Sequence, residues 1–472
     1  MPAINRPYRP ERISLPSREA QVGGEADVLV VGGGPAGIGA GLGAAAEGAR
    51  VIVAERFGFL GGWATAALVS PMASFHTSST SPAAAEYDSG ALFPKDHGPG
   101  RPIIGGVLSL LVRRLVNLQG ALPPSSETGY TVPFDPEIFK KASLDLFDEA
   151  GVLYLLHAFA SGVVRKGNRL EGVVFETKSG PVLFRAAVVV DCTGDGDVAF
   201  LSGVPFEIGR EKDGAVQPMS LLFRVGGFNR PAFERYMRDN PGQWNGVSGL
   251  RDLVRMAAES GSFRAPREDL LFFDTVREGE ILVNSTRVRG VSGTDVWDLT
   301  CAESEGRRQL MELMEFLRSQ VPGFGRSFID QSGFHIGVRE SRRIKGEYRL
   351  TEEDILSARK FPDSIAQAAY PIDIHDPKGK GTTLKKIPPG ESYQIPLRCL
   401  IPQGIDNLLI AGRCISSSHE ALSSCRVIPV STATGQASGV CAALAAKEEG
   451  SPRKIPASRV RSALVRQGAI LD

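Results

Sequence analysis

Residues 27–55, DVLVVGGGPAGIGAGLGAAAEGARVIVAE, decide the fold. Asp27 to Val31 is a short run of branched apolar side chains, the pattern of a parallel strand buried on both faces, and it ends in three consecutive glycines. The next fifteen or so residues are so rich in Gly and Ala that intrinsic propensity argues against a helix. Small side chains nevertheless allow a helix to lie close against a sheet. Arg50 to Glu55, RVIVAE, is a second apolar strand closed by an acid. Strand, glycine turn, helix and strand make one βαβ unit. Within it Gly32, Gly34 and Gly37 form GxGxxG, with Pro35 and Ala36 opening the helix. Gly32 lets the chain turn, Gly34 leaves room for a pyrophosphate against the backbone, and Gly37 lets helix touch sheet, while the helix N-terminus attracts the anion. Glu55 can hold both hydroxyls of an adenosine ribose and would repel a 2′-phosphate, which disfavours NADP. A bare GxGxxG is often an ordinary turn; its flanking strands and the acid make this one a dinucleotide site.

Further along, residues 76–102 are rich in Ser, Thr, Ala, Pro and Gly without apolar periodicity, and are expected to form a long loop, a candidate lid. FDPEIFKKASLDLFDEAG predicts a helix with Asp135 as N-cap, Pro136 at its first position and Gly151 just past its end. The β-rich segments that follow, split by Gly-Asn and Ser-Gly turns, predict a strand, a small antiparallel meander and a return to the main sheet at VVVDCTGDGD. From about Phe206 to Gln394 the texture changes to mixed strands, loops and charged helices such as ESEGRRQLMELMEFLRSQ. The earlier character resumes in IDNLLIAG and STATGQASGVCAALAA. The expected organisation is an α/β protein: a discontinuous Rossmann-type domain from 24–75, 134–205 and 395–450, carrying a parallel sheet and a β-meander, with 76–133 and 206–394 as an inserted α+β substrate domain and 451–472 as a tail.

Four segments narrow the dinucleotide. RFGFLGGWAT after Glu55, VVVDCTGDGD, NLLIAGRCISSSHEA and RVIPVSTATGQASG together resemble the glutathione-reductase-type FAD fold in its succinate dehydrogenase and fumarate reductase branch, and more closely the broad bacterial family of FAD-dependent oxidoreductases. The resemblance covers most of the chain, including GVRESRRIKGEYRLTEED and YPIDIHDP. It implies FAD as cofactor, with Arg56 and the loop Gly61, Gly62 to Thr65 along it, Ala160 at the adenine, and Thr193 with Gly194 near the pyrophosphate. It also implies that the last helix points its N-terminus at the flavin, through backbone N–H groups near Thr434, Gly435 and Gln436. Where many such folds have Gly-Asp after the late strand this chain has Gly412-Arg413, so Arg413 could pair a phosphate instead. Asp195 and Asp197 are expected to be loop acids, with no metal bound.

For substrate chemistry the basic cluster Arg339, Arg342, Arg343 and Lys345, interrupted by Glu340, is the leading candidate, since arginine holds a carboxylate with two hydrogen bonds. In a strand, Arg339 and Arg343 would share one face and Glu340 and Arg342 the other. A salt-bridged connection between domains is the competing structural reading. His375 and His419 are the candidate acid or base, followed by Glu420, Arg426 and His335. Each of these histidines has an equally ordinary structural role open to it.

Composition bounds the function. Over 472 residues Lys plus Arg nearly equals Asp plus Glu, for a net charge of +1, so no global field gathers a nucleic acid. The N-terminal stretch is polar and rich in Pro and Arg rather than signal-like, and no run of about 18 apolar residues suits a membrane span. The six cysteines are scattered without a CxxC pair, which fits a reducing, cytoplasmic setting and argues against disulfide reduction. No second GxGxxG follows a strand, so a separate NAD(P)H domain is not expected. The expected activity is hydride transfer between a small organic substrate, potentially anionic, and the flavin, as dehydrogenase, oxidase or reductase, with oxygen, a quinone or a protein as electron partner and a homo-oligomer possible. A flavin-dependent monooxygenase or halogenase is the alternative, though a WxWxIP-like signature is missing after Gly62-Trp63; a non-catalytic flavin-binding subunit is the third.

Overall fold

The computed structural model describes residues 13–14, 18–78, 99–125, 127–264, 266–448 and 450–472. Its main sheet has seven strands: Leu153–Leu155, Val51–Ala54, Gln21–Val31, Gly180–Asp191, Arg169–Thr177 and Phe159–Lys166 in spatial order, with Leu408–Ile410 also pairing Gly180–Asp191. Val28 lies opposite Val51 on one side and Val188 on the other, both parallel, and Val28, Leu29 and Val30 are completely buried. That burial on both faces explains why these strands carry no polar alternation. Phe159–Lys166, Arg169–Thr177 and Gly180–Asp191 pair antiparallel, forming the expected meander. Leu408–Ile410 runs parallel to Val189–Asp191, so a strand from late in the chain completes the sheet begun at its start.

Helices Pro35–Ala46 and Ile428–Lys447 cross on this sheet. A methyl group at Gly39 would sit 2.2 Å from the Thr432 carbonyl oxygen, and one at Gly435 would sit 2.0 Å from that of Ala36. The glycines that weaken these helices as isolated segments are what let the two backbones touch. Helix Pro136–Ala150 begins and ends as predicted: the Asp135 side chain accepts from the Glu137 and Ile138 amides, and Gly151 takes the left-handed conformation with φ 66°. Asp135 also accepts from Arg277 at 2.5 Å, tying this helix to a second sheet.

The second sheet is antiparallel, with strands Trp244–Asn245, Ser248–Gly249, Leu270–Asp274, Glu280–Val283, Phe223–Gly226 and Phe328–Ser332 in order. The amphipathic stretch seen in the sequence lies in helix Val296–Gln320, which buries Leu310, Leu313, Met314 and Leu317 in this sheet's own apolar core, a core drawn from Met219 to Val338.

Three expectations change. Residues 344–394 do not all belong with the second sheet: Leu350, Ile355, Ile365, Ile372 and Tyr393 are buried in the first core, beneath helix Ile428–Lys447, as are Ile103, Leu108 and Leu111 from the segment 76–133. The 76–102 loop is not wholly irregular, since His76–Ser78 pairs with Pro99–Pro102; the remainder of the candidate lid lies outside the described residues. The C-terminal tail is a packed helix, Ala457–Arg466, whose Val460, Ala463 and Leu464 also enter the first core. Among the described residues no single helix is long and apolar enough to cross a membrane.

The helix crossing gives a direct test. Gly39→Ala improves local propensity yet must push the two backbones apart, and it is expected to lower the unfolding free energy by about 1–3 kcal/mol, read from urea denaturation.

Candidate active site

The carboxyl ends of four parallel strands open on one cleft with about 980 Å³ of atom-free space. Gly32 and Gly34 follow the first strand, Glu55 and Arg56 the second, Thr193 and Gly194 the return strand, and Gly412 and Arg413 the late strand; all eight line the cleft, as do Pro35 and Ala36. Crevices of this kind, outside the strand ends, are where doubly wound sheets bind ligands. Gly32 has φ +102°, and a methyl group there would strike the Cys192 carbonyl at 2.4 Å. At Gly34 it would meet nothing closer than the Gly62 Cα at 3.7 Å, so it would project into the cleft itself. Gly34 caps helix Pro35–Ala46 without a side-chain hydrogen bond, which leaves first-turn N–H groups for a ligand. Gly37 stands behind the cleft, where a methyl group would overlap the Gly32 carbonyl at 1.8 Å. The Glu55 carboxylate accepts from the Gly33 amide at 2.6 Å and the Phe57 amide at 2.9 Å, and burial raises its pKa.

Other expected cofactor residues support the cleft without lining it. Gly62 lines it, but Gly61, with φ +107°, and Thr65, whose hydroxyl donates to the Leu60 carbonyl at 2.8 Å, hold the loop from behind. Ala160 does not reach the cleft; Ala158 and Phe159 do. The last helix starts at Ile428, with Pro429 in its first turn, so Ile428 and Ser431 face the cleft while Thr434, Gly435 and Gln436 lie deeper along it. Thr434 accepts from the Gly412 amide, Gly435 packs on Ala36, and Gln436 accepts from the Val107 amide. Proline at the first turn was the sequence sign of this start. Arg413 is already committed: it donates to Asp195 at 2.7 Å and Ser341 at 2.6 Å and lies 4.8 Å from the Trp63 ring centre. Burial alone would raise the Asp195 pKa, but Arg413 and Arg56 outweigh it and keep the carboxyl below its ordinary value. Asp197, also in the cleft wall, is pushed up to about 6, by burial first and then by Asp195 and Asp191, despite its bond to Arg342.

Beside the cleft lies a second chamber of about 1440 Å³, and the two share Trp63, Arg426 and Ile428. Arg339, His375 and Arg426 face this chamber, together with Tyr370, Asp373 and Asn284, none of which the sequence reading had singled out. Arg339 is buried and donates to the Pro218 carbonyl at 2.7 Å and the Ser220 hydroxyl at 2.8 Å. Arg426 donates to Gln217 at 3.3 Å, and its buried Nε has no partner. His375 Nε2 is 3.7 Å from Asp373, which accepts from the Tyr370 hydroxyl at 3.1 Å. Burial, with Arg339, Arg267 and Arg426 nearby, holds the His375 pKa well below its ordinary value, so the imidazole is neutral at pH 7.

The rest of the basic cluster is structural. Residues 339–342 form no strand, the strand beginning at Arg343, so the expected alternation of faces does not apply. Glu340 is buried, accepts from the Gln217 amide at 3.0 Å and pairs with both Arg343 and His419. Arg342 bonds Asp197 at 2.9 Å and stacks on Phe200 at 4.1 Å. His419 and Glu420 border a separate open groove, away from the cleft and chamber. His335 lines the cleft, with Nδ1 2.6 Å from the Ile336 carbonyl. Among the described residues no group of three or more His, Cys, Asp and Glu side chains could hold a metal ion.

The model of a family described as FAD dependent oxidoreductase matches residues 27–464. Similar solved structures include a geranylgeranyl bacteriochlorophyll reductase-like protein from Thermoplasma acidophilum, 14% identical over 95% of this chain and 85% of that one, with a TM-score of 0.44. Anhydrotetracycline hydroxylase OxyS from Streptomyces rimosus is 12% identical over 94% and 66%, at 0.44, and the flavin-dependent brominase Bmp2 is 12% identical over 93% and 83%, at 0.43. No curated protein matches the chain significantly.

The raised pKa of Asp197 has a pH consequence. The folded state takes up this proton below about pH 6 whereas the unfolded chain does so near its ordinary value of 3.8, so the group's contribution to stability is full below that value and is lost as pH rises to about 6. Asp197→Asn lacks this dependence. Its stability relative to the parent is therefore expected to improve between about pH 4 and pH 6 and to level off above about pH 7, measured by urea titration.

Proposed function

From the premise that this chain belongs to the FAD-dependent oxidoreductase family, we propose that it transfers a hydride between a small organic molecule in the second chamber and FAD in the cleft. The observation that carries this reading is that cleft and chamber adjoin, with Trp63, Arg426 and Ile428 lining both, which would put a cofactor and a second molecule side by side inside one protein.

The cleft fits the cofactor. The cradle at Gly34 is space that a side chain would fill, and the uncapped first turn of helix Pro35–Ala46 offers amides to a pyrophosphate. Glu55, fixed by two backbone amides, would hold the adenosine ribose through its remaining lone pairs, while Thr193 and Gly194 would flank the phosphates. The start of helix Ile428–Lys447 supplies a positive helix end at the junction. When bound, FAD supplies a two-electron centre able to accept or give a hydride.

The chain's own residues then divide the remaining work. Arg339 and Arg426 fix the substrate in the chamber. Trp63 lines both spaces and is itself held by the stacked Arg413. His375, neutral and lined up with Asp373 and Tyr370, takes or returns the proton that accompanies hydride movement, Asp373 steadying the imidazolium that forms.

The test is anaerobic: small carboxylates, alcohols, amines and sugars are added singly to the flavin-loaded protein while flavin absorbance is followed. Bleaching by one class identifies a donor. Bleaching by NADH or dithionite alone, followed by oxygen-free reoxidation by an organic acceptor, identifies a reductase. Failure of every donor and acceptor to change the flavin defeats the proposal. With the substrate so found, His375→Gln is expected to slow the reductive or oxidative half-reaction by about 10²- to 10⁴-fold in single-turnover measurements while leaving flavin content unchanged.

A further inference from the structure

The lining of the second chamber combines the apolar Leu222, Val247, Leu271 and Phe273 with the cationic Arg339 and Arg426. Several other buried arginines of this protein are paired with acids: Arg413 with Asp195, Arg343 with Glu340, Arg224 with Glu280. Among the described residues Arg339 and Arg426 form no ion pair, and the groups they donate to, Pro218, Ser220 and Gln217, are neutral. Two more guanidiniums stand behind them. Arg267 is buried with its Nε unpartnered, and Arg287 is bonded to the carbonyls of Asp376, Lys380 and Gly381 with its Nε likewise unpartnered. Asp373 is the carboxylate that lines the chamber with Arg339 and Arg426, while Asp269 and Asp376 act on Arg287 from outside it.

A buried cation without a counter-charge is costly, and two arginines against one carboxylate in the chamber lining leave positive charge there without an ion-pair partner. A guanidinium meets a carboxylate in a fixed, two-pronged geometry. The apolar residues of the lining offer nothing to a second charged group and favour hydrocarbon.

Resting on the reading of this chamber as the substrate site, we infer that the substrate is an amphipathic organic acid, its carboxylate held by Arg339 and Arg426 and its hydrocarbon body laid on Leu222, Val247, Leu271 and Phe273. The acid end lies beside the junction with the cleft, because Arg426 belongs to both spaces.

Calorimetric titration of the oxidised, flavin-loaded protein tests this without turnover, using cinnamate and decanoate, their amides, and succinate as a small diacid. Each apolar acid is expected to bind at least about tenfold more tightly than its amide and than succinate. Arg339→Gln should abolish the preference for acid over amide, and Arg339→Lys should keep part of it. Equal affinity for acid and amide in the unaltered protein, tighter binding of succinate, or no binding of either apolar acid overturns the inference, whether or not the variants fold. Acid-selective binding in a protein whose flavin no donor or acceptor changes upholds the ligand chemistry and removes the redox reading. Flavin reduction by a neutral donor, with no preference for acids, does the opposite.

Discussion

The contact on which everything else depends is the backbone-to-backbone crossing of helices Pro35–Ala46 and Ile428–Lys447. Gly39 against Thr432 and Gly435 against Ala36 leave no room for a methyl group. This closeness sets the positions of two helix starts at once: the one capped by Gly34 and the one that begins at Ile428. Both open on the same cleft. A wider crossing would keep the sheet intact but separate the phosphate-facing turn from the second helix end. Packing of small residues is here a functional requirement as much as a stabilising one.

Charge is arranged in two styles within a short distance. Beside the cleft Asp195 holds Arg413, which is stacked on Trp63, and farther off Glu340 joins Arg343 to His419. Such pairs fix loops whose backbones must stay in register with a long ligand. In the adjoining chamber Arg339 and Arg426 have no ion-pair partner among the described residues, and the nearby imidazole is kept neutral by its burial first and by these arginines second. The first style builds a frame and the second leaves binding capacity.

The glycine-turn half of the cleft was legible because its requirements are local. Gly32, Gly34 and Glu55 are dictated by a turn, a close approach and a strand end that all fall within one βαβ unit, and the family match over residues 27–464 agrees with that reading of the fold. The second helix start was misplaced because Gly435 looks like a turn residue although it serves a helix crossing, and Pro429 carried the better signal. Arg339, Glu340 and Arg342 resisted separation because a strand period was assumed where the chain has none; one enters the chamber and the other two enter ion pairs. Tyr370 and Asp373 flank His375 in YPIDIHDP, but nothing local says that they converge on it. Arg267 and Arg287 come from distant loops, and no spacing rule could have joined them to Arg339.

The sheet's dependence on Leu408–Ile410 and helix Ile428–Lys447 also orders events during synthesis. The second core draws its residues from one continuous stretch, Met219 to Val338, and can close as soon as that stretch has emerged. The cofactor cleft lacks two of its walls until residues 411–431 have been made. At ribosomal rates of about 5–20 residues per second, strand Gly180–Asp191 therefore waits on the order of 10–40 s for its late partner Leu408–Ile410, and the whole stretch of the inserted sheet emerges within that interval. Cofactor capture is consequently a late step in biogenesis, and a chain truncated before Leu408 contains the glycine turn without a place to use it.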